Sequence, residues 1–360
     1  MPVSIALIGA GLIGRSHAAI LASLAAEGVR FAGIADPAES ARQLAASYGV
    51  PHYAEAGTML DEVVPDAVIV ASPNVLHAPH AHACIERGIA LLLEKPLAED
   101  FETAREIAEQ AERANVPLLV GQFRRHNPVV RAAREMIRSG RLGRLVTVNA
   151  SSTVLKPDPY FETEWRRQKG GGPILINLVH DIDALRFLCG EIETVQAMAS
   201  NAMRGWPVED TAAVLLRFSN GALGTIVLSD ATPSPFCWDQ TAGENPAFPR
   251  HDATAYWISG TEGTLEMPSL TLWRYRGQRG WDQPLVRETI AYEFRDPLRE
   301  QTLHFLRVVR REETPLVSGR DGARTVAATI AVSRSAAAGV PVRPEEPPEW
   351  ARPEPVAGAQ

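Results

Sequence analysis

A lysine follows a continuously apolar stretch in the first third of the chain. The segment IALLLEKPL places Lys95 directly after an apolar run and Glu94, and before Pro96. A strand that is apolar throughout is typical of a parallel sheet covered on both faces. We therefore expect the ammonium of Lys95 to enter a partly dry crevice, where lost hydration lowers its pKa and suits it to proton transfer. The alternative is an ordinary surface lysine in a turn before proline.

A second set of polar residues lies on an apolar helical pattern after three glycines. In GGGPILINLVHDIDALRF, the residues Asn177, His180 and Asp183 recur at helical spacing, while leucine and isoleucine supply a separate apolar face. An imidazole titrates near neutral pH and can accept and release a proton, so His180 is the candidate base. Asp183 either holds the ring of His180 or pairs elsewhere. The alternative for His180 is a buried histidine that only completes the core.

A glycine-rich motif between the first strand and the first helix indicates a dinucleotide site. The motif Gly9-Ala10-Gly11-Leu12-Ile13-Gly14 follows the strand IALI, and Asp36 ends the next strand 22 residues after the last glycine. Its backbone can approach a pyrophosphate, whose charge is met by amide hydrogens at the helix start. Asp36 can accept hydrogen bonds from ribose hydroxyls and would repel a phosphate there. The sequence thus favours NAD over NADP, although Ser40 and Arg42 leave dual use open.

Further polar residues follow the other strands of this half. Because ligands of open parallel sheets bind beyond the carboxyl ends of the strands, these residues are candidates for cofactor contacts. The candidates are Ser72, Pro73, Asn74, His77, Glu94 and Lys95. The histidines of the HxxHxH run cannot share one helical face and have no carboxylate or thiol suitably placed beside them, so we predict no metal site.

The composition indicates a small-molecule partner. The chain has 360 residues, of which 45% are hydrophobic and 22% are charged, and its formal charge is -7. This balance offers no basic surface to nucleic acid or anionic lipid. Three widely spaced cysteines indicate neither a disulfide framework nor a zinc site. No apolar stretch reaches the roughly 20 residues of a membrane span, and no basic segment precedes the first apolar run, so we expect a cytoplasmic protein without membrane contact.

The order of the patterns predicts an α/β chain of two domains. Short apolar runs first alternate with helical patterns, as in the βαβ units of a Rossmann doubly wound parallel sheet. Consecutive strand patterns then predict an α+β domain on an open, mostly antiparallel sheet. We predict an NAD-binding domain over 1–125, a substrate-binding and oligomerisation domain over 126–342, and a Pro/Glu-rich tail over 343–360 that is disordered or lies on a neighbouring subunit.

The sequence predicts strands in both domains, a hairpin and one long loop. The first domain is predicted to contain strands at 5–8, 31–35, 67–71, 89–93 and 117–120. The second is predicted to contain strands within 144–154, 194–203, 211–220, 221–230 and 264–275. Asn220-Gly221 is a strong hairpin signal between two of them. Residues 232–251, rich in proline and polar residues, predict a long loop of the kind that is more often functional than idle.

Several motifs in one order resemble the glucose-fructose oxidoreductase / inositol dehydrogenase / MocA family. They are GAGLIG, IAD, ASPNVLHAPHA, EKPLAED, GQFRRHNP and GGGPILINLVHDID, and the likeness covers residues 3–342. The resemblance implies a nicotinamide-dependent dehydrogenase acting on sugars, cyclitols, sugar acids or dihydrodiols, which assembles as a homodimer or homotetramer through its open sheets. It also implies that Lys95, with a commonly cis bond to Pro96, relays protons and binds substrate, and that His180 is the active-site histidine.

The chain departs from the family pattern before the histidine. Members commonly carry an aspartate four residues earlier, where this chain has Ile176, and Asn177 lies three residues before His180. An amide cannot exchange a proton, so Asn177 is expected to orient the substrate, and the expected catalytic trio is reduced to Lys95 and His180. Further candidate substrate contacts are Arg125, Tyr160 and Trp165, followed by Arg166 and Trp238.

These residues predict a hydride-transfer reaction. His180 takes the hydroxyl proton of a secondary alcohol while the carbon-bound hydrogen leaves as hydride, and Lys95 holds the developing oxyanion or relays the proton. One alternative is transient oxidation followed by elimination or hydrolysis, as in glycosidases that resemble this family, which release free sugar without net NADH. Another is a non-catalytic NAD-sensing regulator, which the missing aspartate favours and the retained Lys95 and His180 oppose.

Overall fold

The apolar runs of the first third form a six-stranded parallel sheet. In the computed structural model, which describes residues 2–245 and 247–350, these strands are β1 (Val3–Ile8), β2 (Val29–Ala35), β3 (His52–Tyr53), β4 (Ala67–Val70), β5 (Ala90–Glu94) and β6 (Leu118–Gly121). Their order is β3-β2-β1-β4-β5-β6, with every pair parallel. The strand order reverses beside β1, and a crevice for a ligand lies beyond the carboxyl ends of the strands at such a reversal. The predicted Rossmann topology is confirmed, with β3 as an additional short edge strand.

Helices connect the parallel strands and cover both faces of the sheet. They are α1 (Leu12–Ser23), α2 (Glu39–Tyr48), α3 (Ala56–Val63), α4 (His77–Glu86) and α5 (Phe101–Arg113). α5 begins where the sequence predicts, since the carboxylate of Asp100 accepts a hydrogen bond from the Thr103 amide at 2.8 Å. Among the described residues, no helix is both long and apolar enough to cross a membrane.

The second sheet has eight strands and is antiparallel except at one pair. After α6 (Pro128–Arg138), the elements are β7 (Leu145–Thr153), α7 (Val179–Cys189), β8 (Ile192–Ser200), β9 (Thr211–Phe218), β10 (Leu223–Ser229), α8 (Trp238–Thr241), β11 (Tyr256–Gly260), β12 (Thr264–Met267), β13 (Thr271–Arg274) and β14 (Val286–Thr289). The order is β14-β13-β12-β11-β7-β10-β9-β8, and only β7 and β10 pair in parallel. The predicted mostly antiparallel second sheet is confirmed.

The structure confirms one predicted turn of this sheet and shows another that was not predicted. The predicted hairpin at Asn220-Gly221 joins β9 to β10, and Gly221 has a φ of +87°, which an L side chain rarely adopts. The pattern predicted as one strand over 264–275 is instead two strands, because a turn with a cis Met267–Pro268 bond separates β12 from β13. β11 and β14 were not predicted.

The C-terminal helices differ from the predicted domain boundary. α9 (Pro297–Val309) and α10 (Gly319–Ala338) follow the second sheet in the chain, yet residues from both helices complete the core of the first domain. A Cβ on Gly319 would lie 2.9 Å from the Cα of Ala108, and one on Gly322 would lie 2.7 Å from a methyl carbon of Val120. The glycines allow α10 to pack directly on α5 and β6. Its later turns, with Ala331, pack in the second core, so α10 connects the two domains.

The first part of the predicted tail lies on its own chain. Arg324 donates to Glu346 at 2.7 Å and to the Trp350 carbonyl at 2.6 Å. Trp350 is buried, and its ring meets that of Phe101 at a centroid distance of 6.2 Å. Residues 343–350 are therefore an ordered end of the fold, in contrast to the prediction, while the rest of the predicted tail, 351–360, lies outside the described residues.

The three cysteines are buried and unpaired. Burial raises the pKa of Cys84 to about 12 and that of Cys237 to about 11, and it also raises the pKa of Cys189. A thiol is nucleophilic as its thiolate, so these side chains pack as small apolar groups at neutral pH.

Candidate active site

The glycine-rich loop lies between β1 and α1 at the reversal of strand order. Gly9 has a φ of +94°, and a Cβ there would lie 2.5 Å from the Ala71 carbonyl oxygen. A Cβ on Gly14 would lie 2.2 Å from the Gly9 carbonyl oxygen, so close packing requires both glycines. At Gly11, by contrast, no heavy atom lies within 4 Å of the Cβ position. The open space over the first amides of α1 can therefore receive a pyrophosphate.

Asp36 lies at the end of β2, beside this open space. One oxygen of its carboxylate accepts from the Ala10 amide and the other from the Ala38 amide, each at 2.8 Å. A carboxylate offers about four acceptor positions, so Asp36 can still accept from the two hydroxyls of a ribose. Leu12 is largely exposed at the start of α1, while Ile13 packs partly on the core. The residues present fit a nicotinamide dinucleotide.

His77 lies between the loop that carries Ser72 and the loop that carries Pro96. Its Nδ1 lies 2.8 Å from the Pro96 carbonyl oxygen and its Nε2 lies 3.0 Å from the Ser72 carbonyl oxygen, with the ring buried. A neutral imidazole has one N–H and donates to only one of these two carbonyl oxygens, and the contact of His77 with the cofactor stays a prediction. Pro73 is exposed, and Ser72 and Asn74 are partly buried at the edge of the same crevice.

Lys95 extends from the end of β5, as predicted, and its bond to Pro96 is cis. The preceding Glu94 is buried, with one oxygen 2.8 Å from Nε2 of His17 and the other accepting from the Lys95 amide at 3.2 Å. Burial lowers the pKa of the Lys95 ammonium, and the charge of Glu94 opposes this effect. Lys95 therefore releases a proton more readily than an exposed lysine.

His180 occupies the first turn of α7, just after a π-helical turn over Ile174–Leu178. Its ring packs edge-on against Phe123 at a centroid distance of 5.6 Å, and Nδ1 is buried without a hydrogen-bond partner among the described residues. Burial lowers the pKa of His180 well below its usual range, and the positive charges of Lys95 and Arg124 lower it further. Phe123 follows the carboxyl end of β6, and Gly121 of β6 pairs with Glu94 of β5, so His180 lies near the edge of the sheet from which Lys95 extends.

Asn177 lies in the π-helical turn and contacts a lysine that the sequence prediction missed. The Nζ of Lys156 donates to Oδ1 of Asn177 at 2.7 Å and lies 3.2 Å from Oδ2 of Asp230. It also lies 4.8 Å from the ring centroid of Tyr160, a predicted substrate contact. Lys156 follows the carboxyl end of β7, and this position after a strand was the only signal of it in the sequence.

The remaining aromatic candidates lie at different depths. Trp165 is half exposed at the edge of this cluster, and the guanidinium of Arg166 stacks over Tyr160 with its Cζ 4.0 Å from the ring centroid. Trp238 is buried and stacks on Tyr256 at a centroid distance of 5.3 Å. Tyr160 and Arg166 are thus close to Asn177, whereas Trp238 packs in the core of the second domain.

Arg125 does not contact the candidate site. It is buried and donates twice to the carboxylate of Asp183, at 2.8 Å and 2.6 Å, and once to Asp321. Its guanidinium also lies over the ring of Phe187. The prediction that Arg125 binds substrate is wrong, because its donors are committed to this buried ion pair between α7 and α10. Asp183 accordingly pairs with Arg125 and does not hold His180.

Arg124, the neighbour of Arg125, is the arginine that acts on the site. It donates to Asp181 at 2.8 Å and to Asp239 at 2.9 Å. After burial, its charge is among the causes that lower the pKa of both Lys95 and His180. Both arginines lie in one short 3-10 turn, and the sequence alone did not distinguish which of them faces the crevice.

The arrangement combines a nucleotide-binding loop with a proton-accepting group. His180 is held neutral at neutral pH and can take a proton, while the adjacent ammonium of Lys95 can stabilise negative charge on oxygen. Asn177, Lys156 and Tyr160 extend the polar surface away from the reacting pair. Such a site suits proton removal from a hydroxyl group next to a bound dinucleotide.

Comparison with known proteins agrees with this geometry. An oxidoreductase family with an NAD-binding Rossmann fold matches residues 3–122, and the GFO/IDH/MocA C-terminal domain matches residues 130–266. The rhizopine catabolism protein MocA of Rhizobium meliloti is 30% identical over 272 residues, which cover 72% of this chain and 83% of that protein. The scyllo-inositol 2-dehydrogenase (NAD(+)) of Bacillus subtilis is 26% identical over 354 residues, covering 95% and 96%.

The fold is also similar to that of solved structures. The WlbA dehydrogenase from Bordetella pertussis, in complex with NADH and UDP-GlcNAcA, has a TM-score of 0.77 at 23% identity and covers 95% of this chain and 99% of its own. A levoglucosan dehydrogenase has a TM-score of 0.80 at 20% identity, covering 96% and 100%. The chain therefore belongs to the Gfo/Idh/MocA family of oxidoreductases, as an NAD(P)-dependent dehydrogenase acting on CH-OH groups with an NAD-binding Rossmann domain.

Proposed function

We propose that the chain transfers a hydride between NAD and a secondary alcohol of a sugar-like or cyclitol substrate, with His180 as the base and Lys95 as the group that binds the reacting hydroxyl. The observation that carries this proposal is that Lys95 follows β5 while His180 packs on Phe123, which follows the adjacent strand β6, at the carboxyl edge of the sheet that bears the nucleotide loop. The names of the relatives support the substrate class, since one acts in rhizopine catabolism and another on scyllo-inositol.

His180 suits the role of base because it is neutral at neutral pH. Burial lowers its pKa, so the imidazole has a free acceptor nitrogen over the range in which dehydrogenases work. Among the described residues, no hydrogen bond fixes the tautomer of the ring, and the substrate hydroxyl can therefore meet the unprotonated nitrogen. His180 takes the hydroxyl proton as the alcohol becomes a carbonyl.

Lys95 suits the role of electrostatic partner. Its ammonium donates a hydrogen bond to the alcohol oxygen and stabilises the negative charge that develops there. The carboxylate of Glu94, which is buried against His17, stabilises the ammonium form of Lys95. Its charge opposes the lowering of the Lys95 pKa by burial. NAD, when bound, accepts the hydride from the carbinol carbon.

Asp36 supports a preference for NAD. The acceptor positions left on its carboxylate fit the ribose diol, whereas a phosphate at that place would meet a negative charge. A comparison of kcat/KM for NAD and NADP tests this preference, and equal values would contradict it.

The test of the reaction is a substrate panel followed by reduced-cofactor absorbance. Sugars, inositols, sugar acids and cyclic diols are offered with NAD and NADP. We expect NADH formation with at least one of them, and a loss of turnover of about a hundredfold or more in Lys95→Met and His180→Asn, with NADH binding retained. His82→Asn is the matched control, because His82 lies on the outer helix α4 against Gln110.

Three outcomes would contradict the proposal. Unchanged turnover in Lys95→Met and His180→Asn would show that neither residue takes part in the reaction as proposed. Release of free sugar without net NADH would identify redox elimination instead, and tight NADH binding without turnover on the panel would identify a regulator.

We also propose that the chain forms a homodimer or homotetramer through its second sheet. The outer face of β8, β9 and β10 carries apolar side chains that are each more than half exposed, namely Met198, Leu215, Leu223 and Val227. Contiguous exposed apolar side chains of this kind mark association surfaces. Light scattering should give a multiple of the chain mass for the wild type and a smaller species for Leu215→Glu, and a monomeric wild type would contradict the proposal.

A further inference from the structure

Lysine is rare in this chain and concentrated near the candidate site. Of 36 lysine and arginine residues, only Lys95, Lys156 and Lys169 are lysines, which leaves 36 - 3 = 33 arginines. Arginine thus supplies nearly all positive charge, and a lysine marks a place where a compact ammonium with three rotatable donors is used. Lys95 belongs to the reacting pair, so the second lysine of the site requires its own explanation.

Lys156 has one donor left after its contacts with the protein. Its ammonium donates to Asn177 at 2.7 Å and pairs with Asp230 at 3.2 Å. An ammonium has three N–H donors, so a third remains for a ligand. The charge of Lys156 is also among the causes that lower the pKa of Lys95.

The contact with Lys156 also fixes the orientation of Asn177. Oδ1 of the Asn177 amide accepts a hydrogen bond from the Lys156 ammonium, and the NH2 group of Asn177 has no acceptor among the described residues. Asn177 therefore offers donors to the same space as the free N–H of Lys156.

The cations around this space are unevenly paired with carboxylates. The carboxylate of Asp230 is shared between Lys156 and Arg204. Arg166 has no carboxylate partner among the described residues, and its Nε is buried without a hydrogen bond. Burial lowers the pKa of Lys156, and the charge of Asp230 opposes this effect. Lys156 and Arg204 thus share the carboxylate of Asp230, whereas Arg166 pairs with no carboxylate among the described residues.

The two other acidic groups nearby have hydrogen-bond partners of their own. Burial raises the pKa of Glu209, whose Oε1 accepts from the Ile174 amide at 3.1 Å. The carboxylate of Asp210 accepts hydrogen bonds from the Arg204 amide and the Thr211 hydroxyl. Neither carboxylate contacts Lys156 or Arg166, which remain available to an external anion.

We propose that Lys156 and Arg166, together with the amide donors of Asn177, bind an oxyanion of the substrate, so that the enzyme acts on a polyol bearing a carboxylate or a phosphate. This inference rests on the proposed function, because the subsite lies beside Lys95. It assigns a role to the one position where the chain departs from the family pattern. Lys156 and Asn177 act as specificity-determining residues, while His180 and Lys95 perform the reaction.

Matched substrate pairs test the subsite. D-Gluconate is compared with D-glucitol, and D-glucuronate and D-glucose 6-phosphate are compared with D-glucose, for the wild type, Lys156→Met, Lys156→Arg and Arg166→Met. We expect the wild type to favour an anionic member at least about tenfold in kcat/KM. We expect Lys156→Met to raise KM for that member by about 10- to 100-fold, as for a lost charged hydrogen bond, and to leave the neutral partner within about threefold.

Two controls distinguish a substrate contact from general damage. Lys169→Met removes the third lysine, which is exposed and outside the cluster, and should leave both members of a pair unchanged. Lys156→Arg keeps the charge and should restore most of the preference for the anion. Asp230 retains Arg204 in every Lys156 variant, so the fold keeps that ion pair.

The inference and the proposed function fail in different ways. Turnover of neutral polyols with no preference for either anion, or an equal effect of Lys156→Met on both members of a pair, overturns the subsite and leaves the dehydrogenase. Absence of turnover on every substrate refutes the proposed function, and calorimetric titration of the NADH-bound protein with D-gluconate and with D-glucose 6-phosphate then decides the subsite. Binding that Lys156→Met abolishes supports it, and no binding at about 10 mM of either compound overturns it.

Discussion

Gly11→Ala separates the role of a glycine in folding from its role in binding the cofactor. A Cβ at Gly11 would meet no heavy atom within 4 Å, and its φ of -67° and ψ of -162° suit any residue. Alanine is a poorer N-cap residue for α1 than glycine, which lowers the stability of the helix, but alanine also restricts the unfolded chain, which raises the stability of the fold. These effects oppose each other, so we expect the free energy of unfolding without cofactor to change by less than about 1 kcal/mol.

The same methyl group occupies the space assigned to the pyrophosphate. Weakening one charged hydrogen bond to the first amides of α1 should cost about 1.5–3 kcal/mol, or roughly a 10- to 150-fold rise in Kd. At an NADH concentration of about 100 times the wild-type Kd, bound cofactor stabilises the wild type by about 2.7 kcal/mol. The same concentration should stabilise the variant by only about 1.4 kcal/mol if binding is tenfold weaker, and by about 0.4 kcal/mol if it is a hundredfold weaker.

Denaturant unfolding with and without NADH measures both quantities, and NADH fluorescence gives Kd directly. Gly57→Ala on α3 is the matched control, because its Cβ position is also open while the residue lies away from the loop. It should stabilise the helix by about 0.5–1 kcal/mol and leave Kd unchanged. Gly14→Ala, with its Cβ 2.2 Å from the Gly9 carbonyl oxygen, should lose stability even without cofactor.

Two results would refute this reasoning. If Gly11→Ala binds NADH as tightly as the wild type, the open space does not receive the pyrophosphate. If it unfolds as easily as Gly14→Ala in the absence of NADH, the glycine is required by the loop itself and the geometry at this position has been misread.

Three further predictions concern charge. Alcohol oxidation needs neutral His180 and protonated Lys95. The acid limb of the profile of kcat/KM against pH should therefore lie below the ordinary imidazole pKa of about 6.5, and the alkaline limb should lie below the ordinary lysine pKa of about 10.5. An acid limb above about 6.5 would contradict the lowered pKa of His180. Asp36→Ser should reduce the ratio of kcat/KM for NAD to that for NADP by about tenfold or more, and an unchanged ratio would show that the carboxylate does not select the cofactor. Arg125→Met leaves Asp183 buried without its main partner and should lower the unfolding free energy by about 3–5 kcal/mol in denaturant titrations, whereas a raised KM or a change in substrate preference would show that Arg125 binds substrate.

Features that depend on neighbouring residues were predicted well. The period of the apolar runs and the glycine spacing predicted the parallel sheet, the loop before α1 and the position of Asp36. The apolar run before Lys95 predicted that this lysine follows a buried strand, and the structure places it directly after β5. These signals are local in sequence, so one chain was enough to find them.

Features that depend on distant pairing were missed. Lys156 meets Asp230 because the parallel pairing of β7 with β10 brings the ends of the two strands together, and it meets Asn177 from a different segment of the chain. A π-helical turn before α7 changes the angle between successive side chains, and Asp183 turns away to a partner on a later helix. No spacing rule within one segment distinguishes these outcomes.

The packing of α10 against α5 and β6 has a consequence for how the protein is made. Ala108 leaves the ribosome roughly 200 residues before Gly319, which closes over it, and at typical elongation rates this interval is about 10–40 s. During that time the nucleotide-binding half exposes an apolar face that only the end of the chain can cover. A gene truncated after residue 125 should therefore yield an aggregating fragment, and the nascent chain is a natural client for chaperones.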